Sequence, residues 1–411
     1  MGNIKIGIGH STNVKTALKE ALKEVNEPDF VITFFSSQFN PNEVYRTIRN
    51  EVGKNTHIVG NTSAGEISSK MGDCQTNSIV IMALESPYLN IGIGVGENLS
   101  TNPELAASQS VKSAYKSLDN NMRLTIVNKL ANTFLKKSSF DLLKIKLFLN
   151  MLLIDGLAGK EEDYLRCLVK LIGKETPVVG ASSGDNLKFE KTYQIANGVY
   201  TDSAILVAMN SFLKMGTATG IPYYPTYKGA LVTRSEGRIV YELNGGPAAE
   251  VLRELLNVDE LTPDVFARYT TGLKSTDIYN EYVLKSPMKI LDDGSILFYA
   301  EIPKGTFLTI METNEEYMFD SFKKTLKDAW KDAGRPKKIG AIILFNCVLR
   351  YLLKCNYHLD DINIINETFG EEVKVIGFNT YGEQGRTLGG SLGHYNQTST
   401  LLLIGDELID E

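Results

Sequence analysis

The sequence predicts an α/β protein of two domains, with mixed β-sheets flanked by helices and built from repeated strand-helix-strand-loop-strand units. Three observations predict it. First, a signature of two hydrophobic residues, a glycine, small polar residues, a second glycine and an acid occurs three times. It reads IVGNTSAGEI at 58–67, VVGASSGDN at 178–186 and VIGFNTYGEQ at 375–384. Second, each copy is followed, after a polar stretch, by a strand-like run: NSIVIMAL, DSAILVAM and QTSTLLLI. Third, each is preceded by an apolar strand and a helix-like segment. These are FVITFF with PNEVYRTIRNEV, LFLNMLLI with EEDYLRCLVKLI, and IGAIILF with DDINIINETF.

Within this unit, strand-helix-strand favours a parallel pair, and the strand after the loop is expected to return antiparallel. Val14, Ala17, Leu18, Ala21, Leu22 and Val25 follow three-and-four spacing, which predicts a helix over 13–25. Asn40 before Pro41 pairs an N-cap with proline at the first helical position. Pro247 starts another helix through Ala248, Val251, Leu252 and Leu255. Phe319, Phe322, Leu326, Ala329 and Trp330 mark a longer one that Gly334 and Pro336 end. The Gly- and Pro-punctuated stretch around 210–230 sets the domain boundary. Copies one and two then fall in a domain of residues 1–220, and copy three in residues 221–411.

The chain has 411 residues, more than one hydrophobic core usually holds, which supports two domains. Its formal charge of -6, with interspersed signs, offers no footprint for nucleic acid or an anionic membrane. Lys136, Lys137, Lys144 and Lys146 form a local basic cluster, read as solvated surface. Four cysteines (Cys74, Cys167, Cys347, Cys355) make no CxxC pair, as expected of a reduced cytoplasmic compartment. The start, MGNIKIGIGHS, reads as a strand and not as a signal peptide, and the apolar run 145–154 is too short to span a bilayer.

The repeated loops supply the candidate site. Gly60, Gly180 and Gly377 end apolar strands, where a missing side chain permits a turn or a close backbone approach. Gly65, Gly184 and Gly382 precede an acid and are expected at positive φ. Exposed loop amides can bind an anion or a carboxylate. Glu66, Asp185 and Glu383 can hold a ligand ammonium group, or accept amides from their own loops. Ser63, Ser182, Ser183 and Thr380 add hydroxyls that bond either ligand or backbone. In FNCVLRYLL, a strand gives way to a helix, which places Asn346, Cys347 and Arg350 at the carboxyl end of a strand, where ligands bind in open α/β sheets. Arg350 can clamp a carboxylate bidentately or form a structural ion pair. Cys347 has no adjacent base and reads as packed.

Enzyme signatures are missing. GIGVGEN has the wrong spacing for a dinucleotide fingerprint, the loops lack a following Lys-Ser/Thr, and no GxSxG elbow occurs. The four histidines (His10, His57, His358, His394) are scattered and form no metal motif. The chain is therefore expected to be a binding module and not an enzyme, to hold no metal and to have no catalytic residues. A serine hydrolase using Ser63 or Ser182 is the enzymatic alternative.

In the order of its motifs the chain resembles the FIST sensory domains of signal transduction, N-terminal and C-terminal regions both. The N-terminal likeness rests on IVGNTSAGEI with NSIVIMALES and VVGASSGDN with DSAILVAM. The C-terminal one rests on VYELNGGPAAEVLRELL, SILFYAEIPKGTFLTIM, ILFNCVLR and GFNTYGEQG with HYNQTSTLLLI. The resemblance implies a bacterial sensory module that binds a small molecule, with an amino-acid-like metabolite favoured. By position it carries over Gly60, Ser63, Gly65, Glu66, Gly180, Gly184, Cys347, Arg350, Gly377, Tyr381, Gly382 and Glu383. As the ligand-binding set we take Ser63, Glu66, Asn346, Cys347, Arg350, Tyr381 and Glu383. No kinase or methyl-accepting segment is legible, so signalling is expected through a separate partner such as a histidine kinase or chemoreceptor. A related branch looks like haem-based nitric oxide sensors, for which a histidine or Cys347 would be the axial ligand; no cofactor is the preferred expectation.

Overall fold

The structure is a computed structural model that describes residues 2–121, 148–274, 281–387, 390 and 392–409. The basic cluster at Lys136, Lys137, Lys144 and Lys146 lies outside the described residues.

The first copy of the unit comprises β1 (Lys5–Ser11), α1 (Val14–Ala21), β2 (Phe30–Ser36), α2 (Pro41–Glu51), β3 (His57–Ser63), a hairpin of β4 (Glu66–Ser68) and β5 (Gly72–Gln75), and β6 (Ile79–Glu85). The second comprises β7 (Leu89–Glu97), α3 (Pro103–Asn121), β8 (Phe148–Ile154), α4 (Glu161–Ile172), β9 (Val178–Ser182), a hairpin of β10 (Gln194–Ala196) and β11 (Val199–Tyr200), and β12 (Ser203–Ser211). The third opens with β13 (Leu213–Gly220).

An inserted unit follows: β14 (Tyr224–Glu236), β15 (Ile239–Leu243), β16 (Gly246–Pro247), α5 (Ala248–Leu256), α6 (Pro263–Arg268), β17 (Tyr269–Lys274), β18 (Tyr282–Lys285), β19 (Pro287–Ile290), β20 (Ile296–Phe298) and β21 (Phe307–Glu312). Its strands form one antiparallel sheet over a core of its own, built on residues such as Val232, Leu252, Phe266, Phe298 and Ile310. The third copy then resumes with α7 (Glu315–Asp332), β22 (Ile339–Cys347), α8 (Val348–Asn356), α9 (Asp361–Phe369), β23 (Lys374–Thr380), a hairpin of β24 (Glu383–Gly385) and β25 (Gly393–Tyr395), and β26 (Ser399–Leu408).

Each copy builds the same sheet. The central pairs β2/β3, β8/β9 and β22/β23 are parallel, and β6, β12 and β26 return antiparallel to β2, β8 and β22. The expected unit therefore holds, extended by an edge strand and its helix. The signal for that extension lay in alternating glycines. Gly7 and Gly9 on β1, and Gly92, Gly94 and Gly96 on β7, face helix carbonyls of α1 and α3 so closely that a Cβ would strike them. The helices thus pack directly on strand backbone.

The hairpins are exchanged in a cycle. β4–β5 of copy one pairs with β23 of copy three, β10–β11 of copy two with β3 of copy one, and β24–β25 of copy three with β9 of copy two. The arrangement has approximate threefold symmetry. Central strands are apolar on both sides because both faces are buried. On β2, Phe30, Ile32 and Phe34 point to a shared inner core while Val31 and Phe35 point to the helices. Phe34, Phe345 and Phe378 meet in that core, with ring centroids 4.5 to 6.3 Å apart. The boundary region 210–230 spans the end of β12, all of β13 and the start of the insertion, and β13 itself pairs with β26. The helix expected over 13–25 is shorter, since the Leu22 amide turns back to Leu18 and Glu20, yet Val25 remains buried in the same core.

Candidate functional site

The three glycine loops meet where the exchanged hairpins cross. Gly60, Gly180 and Gly377 abut the carbonyls of Thr33, Leu152 and Leu344 on the parallel neighbour strand, so the repeated glycine serves close approach. Beyond it the loops interlock by backbone bonds. Gly184 N donates to Thr62 O at 3.0 Å and Asn186 N to Ser63 O at 3.1 Å. Ser182 N donates to Gly382 O at 2.8 Å and Tyr381 N to Ser182 O at 3.1 Å. Ala64 N donates to Asn379 O at 2.9 Å and Asn379 N to Gly65 O at 2.8 Å. These amides, read from the sequence as anion donors, are consumed by one another. Gly65 and Gly382 take positive φ (127° and 156°), as expected. Gly184 does not; a side chain there would instead collide with Ala64.

The acids turn inward for the same reason. The Glu66 carboxylate accepts Ser63 Oγ, Ser36 Oγ at 3.0 Å and Ser78 Oγ at 2.6 Å. Ser78 also bonds His10 Nε2 at 2.8 Å, whose Nδ1 bonds Ser68 Oγ at 2.7 Å. Glu383 accepts Thr380 Oγ1 and Thr398 Oγ1, the latter at 2.7 Å. Both acids are fully buried among neutral donors. Burial without a cation pushes Glu66 up to about 7 and Glu383 up to about 8, against the hydrogen bonds that oppose it. Burial likewise lowers His10 to about 4.

Copy two corrects the alignment read from sequence. The register that sets Glu66 opposite Phe378 and Glu383 opposite Ala181 sets Gln194, not Asp185, opposite Asn61. Gln194 donates to Ser183 Oγ at 2.8 Å and accepts Ser203 Oγ at 2.8 Å. Asp185 sits in the longer preceding loop and accepts the amides of Phe189, Glu190 and Lys191 (2.9, 2.7 and 3.0 Å) and the Tyr381 hydroxyl at 2.5 Å. Burial opposes its charge, but these donors hold it below its ordinary range. Tyr381 also accepts Leu187 N at 2.8 Å and stacks on Phe189 with ring centroids 4.9 Å apart.

Arg350 makes the structural ion pair of the two readings. Its terminal nitrogens grip Asp361 at 2.7 and 2.9 Å, and Nη1 also donates to Asn346 Oδ1 at 2.6 Å. Lys354 adds a bond to Asp361 at 2.5 Å and reaches Asp73 on the exchanged hairpin of copy one. Arg350, Lys354 and Asp361 are all at most 1% exposed. Burial penalises the Asp361 charge, yet the two cations hold its carboxyl well below the usual range. Asn346 continues to Asn379 at 2.7 Å. Cys347 is buried beneath Glu383, and burial pushes its thiol well up, which fits the packed reading.

The sequence-chosen residues therefore do come together, but as sealed networks. Ser63 with Glu66, Cys347 with Glu383, and Asn346 with Arg350 are partners of one another, and Tyr381 is bonded to Asp185. None of the seven lines the large open cleft. That cleft, of about 610 Å³, lies where β13 and α7 of the third copy face the insertion. Thr217, Thr219, Ser321, Thr325 and Lys324 line one side and Pro225, Tyr282 and Met311 the other. Glu175 and Val178 of copy two and Arg386 after β24 close its end. Asp320, Asp328 and Asp332 project from α7. Arg386 is held only loosely, 3.7 Å from the exposed Glu175. Tyr317 meets Tyr224 edge-on at 5.1 Å, and Tyr223, buried, donates to Ala267 O at 2.6 Å.

Asp320, Lys324, Asp328, Asp332, Tyr282, Tyr317 and Arg386 were missed by sequence reasoning. A signal existed on α7. Asp320, Lys324, Asp328 and Asp332 recur every four residues, forming a polar stripe beside the apolar one read from Phe322, Leu326 and Ala329. What faces that stripe comes from residues far away in the chain. Of the haem candidates, His10 has both ring nitrogens bonded, His394 is bonded to Gln384 and packed on Gly382, and Cys347 is buried; none lines the cleft. Among the described residues, no helix is long and apolar enough to cross a membrane.

A protein described as uncharacterised, from Methanocaldococcus jannaschii, is 28% identical over 222 residues, covering 50% of this chain and 42% of its own length. The chain thus spans less than half of that relative. Among solved structures, cyanuric acid hydrolase from A. caulinodans aligns over 98% of this chain and 99% of its own, with TM-score 0.37 and 8% identity. A chorismatase aligns over the same shares, with TM-score 0.35 and 7% identity. Neither likeness is close enough to inform function. Residues 29–246 match the FIST N domain and residues 248–386 the FIST C domain. With both domains present in order, the chain belongs to the FIST family, whose domains are associated with sensing in signal transduction.

Proposed function

We propose that the protein is a non-enzymatic, intracellular sensory module that binds an amino-acid-like metabolite in the cleft between α7 and the insertion. In this reading it holds no resident cofactor and passes its signal to a separate protein such as a histidine kinase or chemoreceptor. The carrying observation is that one cleft of about 610 Å³ combines a loosely held guanidinium, Arg386, with carboxylates and Tyr317 on α7 and a facing wall containing Tyr282 and Met311. A guanidinium suits a ligand carboxylate, the α7 acids suit its ammonium, and the aromatic wall suits its side chain. The volume is that of a small-molecule pocket. Its position, between the threefold body and the inserted sheet, allows a ligand to bias how the two pack. Four free cysteines support an intracellular setting.

A thermal-shift screen of the amino acids, with carboxyl-blocked and amine-blocked derivatives, tests this reading. A true ligand at a hundred times its Kd should add about 2.7 kcal/mol of stability. Blocking either group should abolish the gain, and Arg386→Ala should weaken binding without unfolding the protein. If no amino acid stabilises the chain, the reading falls.

A further inference from the structure

We infer that the cleft takes its ligand as an added β-strand: a short peptide with a free C-terminal carboxylate, laid along the open edge of β13. The inference rests on the sensory reading above and deepens it. β13 is the outermost strand of its sheet, and β26 is its one neighbour among the described strands. Strand alternation then decides which way each residue's backbone groups point. The Cys347 amide donates to Thr398 O at 3.0 Å, so Thr398 and every second residue after it face β22. Ser399, Leu401 and Leu403 therefore face β13, where they meet Gly220, Ala218 and Gly216. The N–H and C=O groups of Thr217 and Thr219 are left pointing away from β26. The Thr217 amide shows that direction, since it donates to Asp332 Oδ2 at 2.9 Å. A side-chain acceptor thus stands where the carbonyl of a next strand would.

Thr219 has no such stand-in. Its hydroxyl meets Thr400 Oγ1 at 3.0 Å, but its outward N–H has no partner among the described residues. The cleft lays this edge bare, for Thr217 through Ile221 line it without a gap. A sheet face would contribute alternate residues, so a continuous run means that the backbone edge itself is presented. Arg386 gives the guest its polarity. It follows Gly385, where a Cβ would strike Thr219 Oγ1, so Arg386 enters the cleft at the Thr219 end of the edge. A guanidinium there suits a carboxylate that ends an added strand. From Thr217 to Ile221 the edge runs about 13 Å, enough for three residues. A single amino acid can reach Arg386, but only a peptide adds main-chain groups that bond the edge as a further strand does.

Titration calorimetry on the full chain tests this with alanine, trialanine, trialaninamide and two trialanines, each N-methylated at a different peptide bond. Main-chain bonds do not depend on side chains, so trialanine is a sufficient probe. It should bind at least about tenfold tighter than alanine, the effect of two added main-chain hydrogen bonds. Its amide should lose most of that affinity, and Arg386→Ala should weaken alanine and trialanine alike. Successive peptide N–H groups of a strand point to opposite sides. One N-methylated peptide should therefore fall to the affinity of alanine while the other keeps that of trialanine. Thr219→Pro removes the free donor at an edge position, where proline is tolerated, and should also abolish the advantage. If trialanine gains nothing over alanine, if its amide binds as tightly, or if both N-methylations act alike, this inference is overturned. The sensory reading then stands as long as an amino acid stabilises the chain. If neither trialanine nor any amino acid binds, the sensory reading itself fails.

Discussion

The loop ring and the α7 cleft are two polar regions of this protein that use polarity in opposite ways. In the ring, Ser63, Glu66, Thr380, Glu383 and Gln194 are buried and bonded to one another, while the loop amides close on neighbouring loop carbonyls. In the cleft, Asp320 and Arg386 are accessible and loosely held. Repetition marks the region that holds three copies together, and the region able to meet a ligand lies where the copies differ. The insertion belongs to copy three alone, and α7, the counterpart of α1 and α3, faces it.

The largest effect that tests this contrast is expected in the buried charge cluster. Asp361→Ala would strand Arg350 in the interior and leave Lys354 with Asp73 alone, which costs about 3–5 kcal/mol. Denaturant unfolding measures it; a loss below about 1 kcal/mol would mean that these groups do not fasten copy three to the hairpin of copy one.

The acids of the ring come next. A carboxyl whose folded pKa is raised keeps its proton while the unfolded chain loses it. Its contribution is therefore fully present below about 4.5 and is lost as pH rises through about 7 for Glu66 and about 8 for Glu383. Each unit of difference is worth ~1.4 kcal/mol. Since copy two carries Gln194 at this position, Glu66→Gln and Glu383→Gln should fold, match the parent near pH 5 and exceed it at pH 8.5. Parallel stability-pH curves for parent and variants would show that the acids are already ionised in the fold.

The smallest effect belongs to the cleft. Asp320→Asn and Arg386→Ala should shift stability by no more than about 0.5 kcal/mol, as for surface positions outside any network. A larger loss would make the cleft part of the scaffold and erase the contrast with the ring.

Much of the body was legible beforehand because its signals are local. The period-two burial of β2 and β22, the Asn40-Pro41 start of α2 and the glycines that let strands approach follow from neighbours within a few residues. The site was less legible. Arg350 showed a clamp, but its partner Asp361 could not be told from a ligand carboxylate by spacing alone. Asp185 matched the motif by letter, whereas the register of an exchanged hairpin gave the position to Gln194. The α7 stripe was readable as polar, but not as one wall of a cleft.

By itself, then, the sequence determined that a strand-helix-strand-loop-strand unit is used three times, and to which family the chain belongs. Hydrophobic period and glycine placement are set residue by residue. Only the tertiary structure decided that the hairpins trade sheets in a cycle, that the repeated acids face hydroxyls in a closed ring, and that an open cleft forms against the insertion. Those outcomes depend on pairings between residues hundreds of positions apart, such as Asp73 with Lys354, which no local pattern encodes.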